Sequence, residues 1–89
     1  MKAIVTVIGK DKIGIIAQVS TVLAENKANI LDISQTILKE YLTMIMLVDL
    51  TAMTISFSEL SKKLIQKGNA IGVQIKIQRE EVFNVIHTV

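Results

Sequence analysis

Asn29-Ile30-Leu31-Asp32-Ile33-Ser34-Gln35-Thr36-Ile37-Leu38-Lys39-Glu40-Tyr41-Leu42-Thr43-Met44-Ile45-Met46-Leu47-Val48-Asp49-Leu50 is the stretch that decides the fold. Residues 29–38 alternate, with Leu31, Ile33 and Ile37 on one side and Ile30, Asp32, Ser34 and Thr36 on the other, the period-two signature of a strand. Residues 41–50 are rich in β-formers and nearly uncharged. With only Lys39-Glu40 between them, the two runs pair antiparallel as a hairpin. Lys-Glu is a poor pair for a primed two-residue turn, so a longer loop is expected.

Upstream, residues 2–8 (Lys-Ala-Ile-Val-Thr-Val-Ile) read as a central strand covered on both faces, broken by Gly9-Lys10-Asp11-Lys12. Ile15, Ile16, Val19, Val22 and Leu23 then recur at helical spacing, and the helix ends near Asn26. Downstream, Ser56 with Glu59 three residues on marks a helix start, and Phe57, Leu60, Leu64 and Ile65 form its apolar face. Gly68 or Asn69 is the expected stop. Strict alternation over residues 73–79 gives a last strand with one wet face, an edge. Residues 80–89 suit a short helical tail. The order βαββαβ resolves, by short connections and handedness, into an α+β, ferredoxin-like arrangement. It has a four-stranded antiparallel sheet, two helices on one face and a short C-terminal helical tail. The other sheet face is left for the tail, for a second subunit, or for both, because strands one and three are apolar on both faces (Ile4 and Ile8 against Val5 and Val7; Leu42, Met44, Met46 and Val48 against Ile45 and Leu47), more than two helices can cover.

The chain has 89 residues, 51% of them apolar and 20% charged, which fits one globular domain spanning 1–89. Ten Lys/Arg against eight Asp/Glu give +2, far from the clustered charge that neutralising many phosphates requires. Direct nucleic-acid binding is disfavoured. With no cysteine and one histidine, soft-ligand metal sites are nearly excluded. Asp11, Asp32 and Asp49 lie too far apart in sequence to read as a hard-metal loop. Met44 and Met46 read as packing, Lys62, Lys63 and Lys67 as a solvated helix face, and His87 as a surface or interface residue. No segment reaches membrane-spanning length and no signal-type leader is evident, so a cytoplasmic location is expected.

Chemistry on this topology has recognisable requirements, and most are missing. Stacking aromatics for RNA, a Cys-x-x-Cys for copper and an arginine cradle for acyl phosphate are all absent. The sole histidine sits near the chain end, so no catalytic constellation is expected, and nothing calls for a cofactor. The segment Gly9-Lys10-Asp11-Lys12-Ile13-Gly14-Ile15 is the informative one. A glycine at a helix start lets backbone N–H groups approach an anion, with lysines beside it. The same glycines equally serve a tight strand-to-helix turn, with Asp11 as its cap.

That run, followed by Val19, Leu23 and Ala24 and then Ala28-Asn29-Ile30-Leu31-Asp32, resembles the ACT domain over essentially the whole chain. The family's signature is an Asp-Arg-Pro-Gly-like loop and an Asn-Ile at the head of strand two. Lys12 stands where arginine is usual, and Ile13 where proline is. Residues 29–36 and 41–49 resemble the small single-domain ACT proteins grouped as UPF0237, similar to the ACT halves of the glycine-cleavage repressor. The resemblance implies a regulatory, non-enzymatic module that binds a small molecule, typically an amino acid, between the first loop of one subunit and strand two of a neighbour. Gly14 and Ile15 would offer N–H groups to a carboxylate. Asp11 and Asn29 would meet the amino group or fix the loop, Gln35 would reach across, and Lys10, Lys12, Ile13 and Ile30 would flank them. The implied partners are a small ligand and a second copy in a homodimer or larger homo-oligomer. Rival readings are a protein adaptor with no ligand, and a transcription-linked regulator.

Overall fold

The computed structural model describes residues 1–87, and the side chains of residues 1–85. The elements run β1 (Lys2–Lys10), α1 (Ile15–Glu25), β2 (Asn29–Leu38), β3 (Tyr41–Asp49), α2 (Phe57–Ile71), β4 (Val73–Arg79) and α3 (Glu80–His87). The sheet is antiparallel throughout, in the order β2-β3-β1-β4. The fold is therefore the ferredoxin-like one expected, and α3 is the helical tail.

One sheet face carries the core. Val5 and Val7 of β1, Met44 and Met46 of β3 and Ile75 of β4 meet Val19 and Leu23 of α1 and Leu60 and Leu64 of α2. Both methionines are wholly buried, as packing residues should be. On the opposite face α3 packs against β1 and β4, and Phe83 lines a hollow of about 300 Å³ together with Thr6, Ile8, Gln74, Lys76 and Gln78. The tail thus covers part of the β1–β4 half of that face, with Ile4 buried and Ile8 still half exposed. Ile45 and Tyr41 on the other half are exposed.

Five local expectations need correction. First, β1 does not stop at Ile8, because Gly9 and Lys10 continue the ladder opposite Leu42 and Tyr41. Second, the hairpin is a two-residue one: Leu38 pairs with Tyr41, and Lys39 takes φ 57° to close it. A left-handed lysine costs little beside the full ladder on either side. Third, β3 ends one residue earlier than expected, at Asp49, whose carboxylate accepts from the Thr51 N–H and hydroxyl. Fourth, α2 runs past Gly68 and Asn69 to Ile71, and Gly72 at φ 78° ends it. Gly68 is a contact residue, since a Cβ there would lie 2.6 Å from the Val73 carbonyl oxygen. Fifth, the register of β2 shifts between Ile30 and Asp32, a bulge at Leu31. Ile30 pairs with Val48 and Ile33 with Met46, so both share the core-side face, whereas strict alternation separates them. The capping box holds: the Ser56 hydroxyl accepts from the Glu59 N–H at 3.1 Å and donates to the Glu59 carboxylate at 3.2 Å.

Candidate functional site

The β1–α1 connection is held at both ends. The Asp11 N–H donates to the Glu40 carbonyl at 2.7 Å, which ties the loop to the hairpin turn. The Lys12 ammonium donates to the Ile71 carbonyl at 3.3 Å, at the C-terminus of α2, where the helix dipole favours a cation. Gly72 leaves the room for that contact, because a Cβ there would lie 2.7 Å from Lys12 Nζ.

Gly14 then enters α1 with φ 89° and no side-chain cap. Asp11 does not cap the helix, which corrects that expectation; its backbone, rather than its carboxylate, is what anchors the loop. The first intrahelical bond is Gln18 N–H to the Gly14 carbonyl, so the N–H groups of the first turn point outward with no intrahelical acceptor. Beside them is a concavity of about 340 Å³, lined by residues 11–17 together with Gln35, Ile37 and Leu42.

Of the residues the sequence singled out, Asp11, Lys12, Ile13, Gly14, Ile15 and Gln35 meet at this concavity. Lys10 does not line it; it ends β1 opposite Tyr41. Asn29 and Ile30 do not line it either, for they begin β2, roughly 20 Å of extended strand from Gln35. Ile16, Ala17, Ile37 and Leu42 were missed. Ile37 and Leu42 are cross-strand partners, and Gln35 faces Met44, so the short hairpin turn is the signal that places them at the loop.

Elsewhere the chemistry is sparse. Among the described residues no group of three or more His, Cys, Asp or Glu could hold a metal ion. Asp49 has its pKa lowered by the Thr51 hydroxyl and then by the Thr51 N–H. It sits at the far end of β3 from the loop. Lys62 and Lys63 are exposed and Lys67 is half-buried, on the outer side of α2. The expectation for His87 concerns a side chain outside those described. No helix among the described residues is long and apolar enough to cross a membrane.

A four-stranded antiparallel sheet, two helices on one face and a concave strand-to-helix loop define the ferredoxin-like class of small α+β modules. The ACT domain family model matches residues 2–78. A UPF0237 protein of Clostridium acetobutylicum is 61% identical over 89 residues, covering all of both chains. A UPF0237 protein of Methanocaldococcus jannaschii is 48% identical, over 99% of this chain and 98% of its own. An ACT domain protein from Streptococcus pneumoniae superposes with a TM-score of 0.82 at 46% identity, covering 93% of each chain. A candidate glycine cleavage system transcriptional repressor shares the fold at TM-score 0.74 and 20% identity, over 88% of this chain and 44% of that one. The chain belongs to the ACT domain family, in its UPF0237 group.

Proposed function

We propose that this chain is a single-module, non-enzymatic regulator of the cytoplasm that binds an amino acid at the β1–α1 loop and works as a homodimer. The observation that carries the reading is the concavity itself: an uncapped helix start with outward N–H groups beside Asp11 and Gln35. The N–H groups suit a carboxylate, and Asp11 suits an ammonium. Lys10 and Lys12 add a favourable field for an anion, although the Lys12 ammonium is already shared with Ile71.

The dimer is supported by the exposure of β2. It is an outer strand, exposed along most of its length, with Leu31, Ile33, Ile37 and Leu38 all open to solvent. Antiparallel pairing of two β2 edges would run the Asn29–Ile30 end of one copy towards the Ile37–Leu38 end of the other. Asn29 would then lie at the neighbour's end of the edge, nearer its β1–α1 loop than its own. Ordering the loop on ligand binding would then be coupled to the association of the two copies.

A thermal-shift panel of the twenty amino acids tests the reading, since a ligand selective for the folded state raises the melting temperature by mass action. A shift with one or two of them is the expected result. No shift at millimolar concentration would favour the adaptor reading, which the uncovered β2–β3 half of the sheet face supports. The transcription-linked reading draws support from the fold shared with the candidate glycine cleavage repressor. It would require salt-sensitive, specific DNA binding from a chain of net charge +2.

A further inference from the structure

Polar groups would hold the two ends of an amino acid, but they leave most of the concavity wall unused. Six of its ten lining residues are apolar, and three of those are large side chains kept in solvent. Ile13 is fully exposed, Ile37 is 52% exposed and Ile16 is 41% exposed. One comes from the loop, one from the first turn of α1 and one from β2, so three separate elements contribute large aliphatic groups to the rim of one hollow. The wall offers little to a polar side chain. Its only other side-chain polar groups are Asp11, Gln35 and Lys12, and the Lys12 ammonium is drawn off to the Ile71 carbonyl. A charged or hydroxylated arm lying along the isoleucines would lose water and gain no partner.

From this we infer that the site selects an amino acid with a branched aliphatic side chain, and that Ile13, Ile16 and Ile37 read that side chain. The inference rests on the reading of the loop as an amino-acid site and narrows it. A volume of about 340 Å³ accommodates such a molecule. Each buried methylene strengthens binding by about fourfold.

The test is calorimetric titration of the purified protein with glycine, alanine, valine, leucine, serine, glutamate and lysine, repeated with Ile37→Ser. The expected result is affinity rising by about fourfold per carbon from alanine to leucine. In Ile37→Ser the rise should flatten by about tenfold at the leucine end while glycine and alanine bind as in the parent, which a loss of β2 pairing would not spare, and the circular dichroism should be unchanged because position 37 is exposed in the single chain. Tightest binding by glycine, serine, glutamate or lysine would overturn the inference and leave the amino-acid reading standing. An unchanged aliphatic series in Ile37→Ser would overturn the role of that residue. Binding by none of the seven would overturn both the inference and the reading beneath it.

Discussion

At Gly14 the backbone turns from loop to helix with φ 89°, and no atom lies within 4 Å of where a Cβ would stand. Space is therefore not the constraint; the left-handed conformation is. Gly14→Ala should cost about 1–2 kcal/mol from backbone strain, a fall of several degrees in the melting temperature by calorimetry. Gly14→Asn should cost less, because asparagine tolerates this region better. Asp49 makes a pH-dependent contribution whose sign is fixed by its hydrogen bonds. Its folded pKa lies below the ordinary 3.8 because the ionised form accepts both Thr51 bonds. The stabilisation is therefore complete above about pH 4 and fades as the pH falls through the folded value. A melting series from pH 6 to pH 2 should show a shallower acid limb in Asp49→Asn than in the parent. Single residues were the readable level in the capping box, because Ser56 and Glu59 act within one turn of each other. They were unreadable at Asp49, whose bond depends on how the chain leaves β3.

Elements were legible wherever a period carried them. β2 and β4 match their expected ends, and α1 closes at Asn26, since alternation and helical spacing are local properties of the chain. The misses are places where a long-range contact overrode local preference. Gly68 looks like a stop signal, but it is the point where α2 lies directly on β4. Alanine in mid-helix ordinarily gains about 1 kcal/mol over glycine. Here the added methyl would press on the Val73 carbonyl, and Gly68→Ala should instead destabilise by about 1–3 kcal/mol. Denaturant melts would show the sign directly. Similarly, Lys12 looked like a ligand residue and is also a clasp between the loop and the end of α2. Lys12→Met, which keeps the stem, should speed amide exchange over residues 11–16 several-fold while changing stability by about 0.5 kcal/mol or less. Lys12→Arg should restore protection. Equal exchange in all three proteins would show that the clasp holds nothing.

At the scale of the whole molecule the candidate site was half legible. The loop residues adjoin one another in sequence and were found together. Ile37 and Leu42 reach the site only because Lys39-Glu40 closes as a two-residue turn, which the poor turn sequence argued against. The half-covered sheet face was legible as a surplus of apolar positions, though which strands α3 would cover was not. Sedimentation at low micromolar concentration should give twice the chain mass. Ile33→Lys, on the outer strand, should shift it towards the monomer by about tenfold or more in dissociation constant, as a charge buried at a pairing edge must. A parent protein that sediments at one chain mass would remove the dimer.

The bulge at Leu31 has a bearing on how far association can go. An outer strand this long and apolar is the shape that seeds open-ended stacking of chains into fibrils. By bending β2, the bulge takes residues 29–30 out of line with residues 32–38, so no straight template spans the whole edge. The opposite edge, β4, is flanked by α2 on one side and α3 on the other, and carries Lys76. What stays in one line on this edge is the run 32–38, a shorter template for strand addition than the whole of β2.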